Sequence, residues 1–291
     1  MSRAYAGTDH VTLTPPEPQD FEGKGLAIVS FAYKPDLDEE GRLALACLRR
    51  FGGEHDRYLL VPQGMTPAFD VSDFRVRELA PDNLAGVETY NALMLSGFFY
   101  GLFRSYDAIL IYQTDCLMLG GGFEPWVKAG WSYVGAPWFD RSGRPKSVGN
   151  GGFSLRRPAD CLRVLESDRA DLTGLTVPGL RHFAGLKHAG VLLGGLDRAQ
   201  KRDDGRPLAQ RFLGDFARPE DEFWSHYAPV FDAKWKLPAP MQACRFAAES
   251  FGPEVVRLNG GALPLGVHAW RRHDAEFWLD RLKALGIAAE G

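Results

Sequence analysis

The stretch Asp107-Ala-Ile-Leu-Ile-Tyr-Gln-Thr-Asp115 is the clearest indication of the fold of this chain. An apolar run bounded by polar residues is typical of a central, buried strand of an α/β sheet. In open sheets of this class, ligands bind beyond the carboxyl ends of the strands. The carboxylate of Asp115 is therefore expected where a divalent cation or another ligand is held, although an isolated Asp after a strand also serves as a turn cap.

A second stretch, Val148-Gly-Asn-Gly-Gly-Phe-Ser-Leu-Arg156, is rich in glycine and carries one asparagine. Paired glycines let a ligand approach the backbone closely, and an asparagine amide both donates and accepts hydrogen bonds. By itself the stretch is equally well explained as a tight turn that enters a strand. Together with Asp115 it predicts a site for a metal-bound, phosphate-containing substrate.

The pattern on either side alternates strands with amphipathic helices. A β-α-β-α-β order predicts parallel strands, and hence an α/β fold with a central, mostly parallel sheet flanked by helices. A polar, Pro-rich beginning predicts an N-terminal tail over residues 1–23, which leaves one domain over residues 24–291. The strands are expected at 26–31, 58–61, 74–79, 107–115, 131–135 and 152–155, the helices at 39–51 and 87–103, and a polar loop at 139–147.

Composition excludes several classes of function. The 291 residues are 45% hydrophobic with a formal net charge of −3, which argues against nucleic acid as a partner. The four cysteines are widely separated and form no CxxC pair, so buried free thiols are expected rather than a zinc site or disulfides. We see neither a signal peptide nor an apolar run of about 20 residues, and therefore expect a cytoplasmic protein without a membrane span.

Two further groups carry possible chemistry. Glu220-Asp-Glu222 precedes an aromatic pair, and its carboxylates either stabilise a helix N-terminus or include a general base for an acceptor hydroxyl. His268 lies on a Gly/Pro-rich turn and is either structural or part of a manganese site. The sequence has no serine-hydrolase elbow, Walker loop or dinucleotide-binding fingerprint, which disfavours those enzyme classes.

Taken in order, the motifs resemble a little-characterised family of GT-A-type glycosyltransferases that has long been described as a domain of unknown function. The resemblance spans about residues 25–275, and its most specific part is the combination of Gln-x-Asp with the glycine-rich stretch. The motifs are Tyr90-Asn91, Phe99-Tyr100, Ile111-Tyr-Gln-Thr-Asp115, Gly135-Ala-Pro-Trp138, Val148–Arg156, Glu220-Asp221 and His268-Ala-Trp270.

The resemblance implies a single GT-A-like (Rossmann-like) domain that binds a nucleotide-diphosphate-sugar donor and Mn²⁺ or Mg²⁺. Asp115 and His268 match the metal ligands of the family. GT-A enzymes usually carry Asp-x-Asp here, whereas this chain has Gln113 at the first position, which is expected to contact the ribose or nucleotide. Asp221 is expected to be the catalytic base of an inverting transfer, with Glu220 orienting it.

The remaining implied roles concern the donor. Asn150, Gly151 and Gly152 are expected to fix the sugar, while Ser30, Tyr33 and Asn91 hold the nucleotide. The acceptor is a glycan, a lipid-linked glycan or a protein.

Two alternatives to an active transferase remain open at this point. One is a non-catalytic GT-A-like protein that binds a nucleotide sugar, which the missing first Asp favours. The other is a nucleotidyltransferase that makes nucleotide sugars. Such enzymes usually have a Gly-rich, basic phosphate loop after the first strand, and Phe31-Ala-Tyr-Lys-Pro35 lacks it.

Overall fold

A computed structural model describes residue 13 and the ranges 21–172 and 186–287 of the chain. Most of the predicted tail over residues 1–23 therefore lies outside the described residues. Phe21 is buried, and its ring lies 5.4 Å from that of Tyr58 and 5.2 Å from that of Phe103. The packed part of the protein thus already includes residue 21.

The α/β fold predicted from the sequence is confirmed, with a six-stranded central sheet in the order β3-β2-β1-β4-β9-β6. β3, β2, β1 and β4 are parallel, and β9 runs antiparallel to both of its neighbours. The strands are β1 (Leu26–Phe31), β2 (Asp56–Pro62), β3 (Arg75–Leu79), β4 (Ala108–Tyr112), β5 (Cys116–Met118), β6 (Tyr133–Val134), β7 (Pro137–Phe139), β8 (Pro145–Val148), β9 (Phe153–Arg156), β10 (Ala247–Ala248) and β11 (Gly266–His268).

Helices cover both faces of this sheet. They are α1 (Glu39–Phe51), α2 (Val87–Met94), α3 (Gly97–Leu102), α4 (Glu124–Lys128), α5 (Pro158–Leu165), α6 (Leu186–Lys201), α7 (Leu208–Gly214), α8 (Glu220–Glu222), α9 (Ala228–Phe231), α10 (Pro240–Phe246), α11 (Gly252–Leu258), α12 (Trp270–His273) and α13 (Ala275–Ala284). A 3₁₀ turn spans Pro81–Leu84, and a π-helical turn, Phe223–Tyr227, joins α8 to α9. Within the described ranges, none of the helices combines the length and the hydropathy needed to cross a bilayer.

The core has two layers because each central strand is apolar on both faces. In β4, Ile109 and Ile111 join one apolar cluster, whereas Ala108 and Leu110 join the other. All four cysteines are free and buried, as the sequence predicted. The sheet is therefore packed against apolar side chains on both faces.

Three local predictions need correction. The helix predicted over 87–103 is two helices, because the side chain of Ser96 accepts a hydrogen bond from the backbone N–H of Phe99 and starts α3. The central strand ends at Tyr112, so Asp115 lies in the turn between β4 and β5. Part of the loop predicted over 139–147 is extended, since β7 and β8 form an antiparallel hairpin around it.

A smaller sheet brings the C-terminal part of the chain to the end of β4. Its order is β10-β11-β5, and β11 pairs antiparallel with β5 so that His268 lies opposite Cys116. Because Cys116 directly follows Asp115, this register places His268 beside the turn after the central strand.

Candidate functional site

A cavity of about 650 Å³ opens beyond the carboxyl ends of β1 and β4. This is the position at which open α/β sheets bind their ligands. Its lining comprises Phe31, Tyr33, residues 84–87, Tyr90, Asn91, residues 113–115, residues 150–152, residues 219–221 and His268. Every site residue predicted from the sequence lines it, with the exception of Ser30.

Three ligand-type atoms converge on the floor of the cavity. The Nε2 atom of His268 lies 3.2 Å from Oδ2 of Asp115 and 3.1 Å from Oε1 of Gln113. On the other side of the ring, Nδ1 faces Oε1 of Glu249 at 3.6 Å. Burial works to lower the pKa of His268, but the hydrogen bonds and charges of Asp115 and Glu249 outweigh it and raise this pKa to about 9.

This donor set fits a hard divalent cation that displaces the proton on Nε2 of His268, because a coordinating imidazole nitrogen must be deprotonated. Two ligands at about 2.1 Å from an octahedral ion are separated by about 3 Å, which is close to both distances observed here. Oδ1 of Asp115 is buried without a hydrogen-bond partner among the described residues, so it is available to a cation. A carboxylate behind the second nitrogen is also a common support for a metal-bound imidazole, and Glu249 is positioned for that role.

The cluster does not form a complete metal cage from ionisable side chains. Across the two described ranges, no group of three or more His, Cys, Asp and Glu residues is arranged to hold a metal. A cation here would thus depend on the amide oxygen of Gln113 and on oxygen atoms of a ligand, as is usual for Mg²⁺ bound with phosphates.

The two glycines are required by side chains of the protein itself. A Cβ atom on Gly152 would lie 2.3 Å from Nε2 of His268 and 2.7 Å from Oε1 of Gln113. A Cβ atom on Gly151 would lie 2.2 Å from Oε1 of Glu220. The sequence pattern suggested that a ligand approaches this backbone, whereas the space is already taken by the histidine and the glutamate.

Asn150 holds the glycine-rich turn in shape and still keeps a donor. Its backbone has a φ of 21°, an uncommon value for a residue with a Cβ atom, and its Oδ1 accepts a hydrogen bond from the N–H of Gly152. The side chain is buried at the cavity wall, where its Nδ2 group is the donor that it can offer to a ligand.

Glu220 belongs to a buried ion pair. Its two carboxylate oxygens accept hydrogen bonds of 2.7 and 2.8 Å from the guanidinium of Arg156, and both side chains are almost fully excluded from solvent. Arg156 also donates to Tyr100, Ser154 and the carbonyl of Gly151. The sequence paired Glu220 with Asp221 in catalysis, but both of its oxygens are engaged, so its place is to anchor the start of α8.

Asn91 anchors the same helix from the other side. Its Oδ1 accepts a hydrogen bond from the backbone N–H of Glu220 at 2.9 Å, and its Nδ2 donates to the carbonyl of Val87. The sequence assigned this side chain to the nucleotide, whereas in the structure it links α2 to α8.

Asp221 is the carboxylate that faces the cavity. It is half-buried, and the loss of hydration, together with the charges of Glu220, Glu249 and Glu222, raises its pKa to about 7. A carboxylate with that pKa gains and loses a proton near neutral pH, as general-base catalysis requires.

Tyr33 and Ser30, which were both predicted to contact the nucleotide, line different cavities. Tyr33 lies on the rim of the cavity and is 44% exposed. Ser30 lies on the other face of β1, since successive side chains of a strand point to opposite sides and Phe31 takes the cavity side. Ser30 lines a small neighbouring pocket, and its Oγ has no partner among the described residues.

Three residues of the site were not predicted from the sequence. Tyr90 belongs to one of the quoted motifs but was given no role, yet it lines the cavity, and its buried hydroxyl lies near the side chain of Gln113. Arg156 and Glu249 find their partners only through long-range packing, over 64 residues for Arg156 and Glu220. A charged residue at the end of an apolar strand needs a buried partner, so Arg156 in β9 was the one feature of the sequence that indicated an ion pair.

A family model described as "Protein of unknown function (DUF5672)" matches residues 73–268, a range that begins before β3 and ends on His268. The chain belongs to this family. The match includes the glycine-rich stretch, Asp115 and Asp221, so the cavity is formed largely by the DUF5672 region. No curated protein matches the chain.

Two solved structures are similar to this member of the DUF5672 family. The apo form of the glycosyltransferase GlyE of Streptococcus pneumoniae is 12% identical with a TM-score of 0.37, over 84% of this chain and 54% of that one. An active-site mutant of LgtC is 13% identical with a TM-score of 0.44, over 89% of this chain and 95% of that one. The present chain thus spans about half the length of the GlyE structure.

Proposed function

We propose that this protein is a glycosyltransferase that moves a sugar from a nucleotide-diphosphate-sugar donor to an acceptor hydroxyl with inversion, and that it depends on Mn²⁺ or Mg²⁺. The observation that supports this most directly is the content of one cavity. A donor set suited to a hard cation and a carboxylate with a pKa of about 7 face the same space.

Asp115, His268 and Gln113 would hold the cation, and the cation would neutralise the diphosphate leaving group as a Lewis acid. Gln113 takes a different role here from the ribose contact expected from the sequence, because its Oε1 already lies 3.1 Å from the histidine nitrogen. Glu249 keeps the imidazole oriented by facing its other nitrogen.

Asp221 removes the proton of the acceptor hydroxyl. The acceptor oxygen forms a bond to the anomeric carbon while the bond between that carbon and the diphosphate oxygen breaks. The diphosphate leaves with the electron pair of that bond, and the proton stays on Oδ of Asp221. Attack from the face opposite the leaving group inverts the configuration at the anomeric carbon.

Other side chains fix the donor. The Nδ2 group of Asn150 donates to an oxygen of the sugar or diphosphate, and the hydroxyl of Tyr90, which lines the same cavity, contacts the donor as well. The rings of Phe31 and Tyr33 offer an apolar surface to the base at the end of β1. The ion pair of Arg156 and Glu220 keeps α8, and with it Asp221, in place.

The test begins with calorimetric titration of UDP, GDP, CDP and ADP, with and without Mn²⁺. We expect one nucleotide to bind in a metal-dependent manner and Asp115→Ala to abolish that binding. Asp107→Ala, which removes an exposed carboxylate at the other end of β4, is the matched control and should bind like the wild type. The absence of nucleotide binding under both conditions would refute the proposal.

Turnover separates the transferase from its alternatives. With the sugar donor of the nucleotide that binds, Asp221→Asn should retain donor affinity and lose hydrolysis and transfer. Saturable binding without turnover in the wild type would indicate a non-catalytic binding protein. Formation of a nucleotide sugar from a sugar phosphate and a nucleoside triphosphate would indicate a nucleotidyltransferase instead.

A further inference from the structure

A second cavity, of about 190 Å³, is lined in part by residues close in sequence to those of the first. This is less than a third of the volume of the first cavity, about 650 Å³, and suits a smaller ligand. It is lined by Ser147, Val148, Ser225, His226 and residues 237–240.

The wall of this second cavity contains a hydroxyl group that the folded protein leaves unused. Ser225 is 6% exposed, and its Oγ has no hydrogen-bond partner among the residues that the structure describes. A buried hydroxyl without a partner is costly to fold, and such groups in native proteins call for an explanation. Rotation of the Ser225 side chain toward the second cavity would let a ligand hydroxyl supply the missing partner.

The lining of the second cavity combines polar with apolar residues. Ser147, Ser225 and His226 provide hydroxyl and imidazole groups, whereas residues 237–240 are Leu, Pro, Ala and Pro. The ring of His226 also stacks on that of Trp138, with centroids 5.3 Å apart and an interplanar angle of 29°. A pyranose matches this combination, because its hydroxyl groups project from the edge and its C–H groups form apolar faces.

Two segments run directly from the main cavity to the second one. Asn150 lines the main cavity, and Ser147 and Val148, just before it in the chain, line the second. Asp221 lines the main cavity, and Ser225 follows it by four residues, about one helical turn. The turn that carries Ser225 is π-helical, a form that is rare and frequent at functional sites.

We propose that the second cavity is the acceptor subsite and that the acceptor is a carbohydrate whose terminal ring binds there. This inference rests on the proposed function, of which it specifies the acceptor class. Ser225 lies one helical turn from Asp221, so a ring seated against Ser225 would bring a hydroxyl group toward the base. Of the acceptors left open by the sequence, it selects a glycan over a protein side chain.

The test is saturation-transfer NMR with methyl glycosides of glucose, galactose and N-acetylglucosamine, and with glycerol as an acyclic control. The proteins are the wild type, Ser225→Ala, Ser225→Val and the surface variant Ser105→Ala. We expect at least one glycoside to bind the wild type and Ser105→Ala more tightly than glycerol does. Ser225→Ala should bind it about three- to tenfold more weakly, and Ser225→Val, which fills the space, should not bind it.

Thermal unfolding shows whether the Ser225 variants are folded. Ser225→Ala removes a hydroxyl without a partner, so its melting temperature should equal or exceed that of the wild type. Failure of all glycosides to bind the wild type, or equal binding by Ser225→Val, would overturn the inference.

Titration of the four nucleoside diphosphates into the same proteins separates this result from the proposed function. Nucleotide binding combined with Ser225-independent glycoside binding would refute the acceptor subsite alone. Glycoside binding that depends on Ser225, without any nucleotide binding, would refute the proposed function and retain the second cavity as a carbohydrate site.

Discussion

Replacing Glu220 with Gln should destabilise the protein strongly and should also change the acidity of the site. The substitution keeps the size of the side chain and removes one charge of a pair in which Arg156 is 0% exposed and Glu220 4% exposed. Because Arg156 is left without a counter-charge in a buried position, the expected loss is about 3–5 kcal/mol of unfolding free energy. For a domain of this size, each kcal/mol lowers the melting temperature by about 2–4 °C, so we expect a decrease of about 6–20 °C.

The assay is urea-induced unfolding followed by tryptophan fluorescence, with Glu220→Gln/Arg156→Met as the matched control. The double variant removes both charges and should recover much of the lost stability, since the penalty comes from the unpaired guanidinium. Stability of Glu220→Gln within about 1 kcal/mol of the wild type would refute the buried-pair argument. So would a double variant that is less stable than Glu220→Gln.

The same substitution has a consequence for pH dependence. The charge of Glu220 is one of the causes that raise the pKa of Asp221. Without that charge, and with Arg156 uncompensated nearby, the pKa of Asp221 should fall. The pH at which the transfer rate is half-maximal should therefore move to a lower value in Glu220→Gln, and an unchanged midpoint would contradict the coupling.

Three further predictions concern the cavity. The pKa of the Asp221 carboxyl is about 7 in the folded protein, against an ordinary value of 3.8. The unfolding free energy of the wild type should therefore fall as the pH rises between these two values. In Asp221→Asn, unfolding titrations should show that this pH dependence is lost. A methyl group on Gly152 would require the His268 ring to move by about 1 Å. Gly152→Ala should therefore bind Mn²⁺ at least tenfold more weakly, as measured by calorimetry. Gly101→Ala is the control, because the space around Gly101 is open, and it should bind Mn²⁺ like the wild type. Tyr90→Phe should weaken nucleotide binding about three- to tenfold, because it removes a hydroxyl that lines the cavity, and equal affinity would exclude the Tyr90 hydroxyl as a contact.

Much of the fold was readable from local patterns. The bounds of β1 and α1 match the predicted ones. The continuous apolar run of β1 and the amphipathic stripe that follows Asp38 in α1 each indicate one type of element clearly. The division of the 87–103 helix at Ser96 was missed because apolar periodicity continues across it, although a serine is a common start of a helix.

The site was only partly readable. Residues that follow strands, such as Asp115, can be placed at a sheet edge from sequence alone, and His268 was placed there by family resemblance. The role of Glu220 was not readable, because a carboxylate in an acidic run looks the same whether it faces a ligand or a buried guanidinium. Only the packing of β9 against α8 distinguishes the two.

The reactivity of the four buried cysteines can be used to measure local unfolding of this protein. Burial raises the pKa of every thiol, to about 12 for Cys47 and about 11 for Cys244, so each is unreactive in the folded state. Cys116 directly follows Asp115, and its Sγ donates to the carbonyl of Gly152 at 3.2 Å. Its rate of alkylation, resolved by mass spectrometry from the rates of the other three, therefore records how often the floor of the cavity comes apart, and a ligand bound there should slow that one rate first.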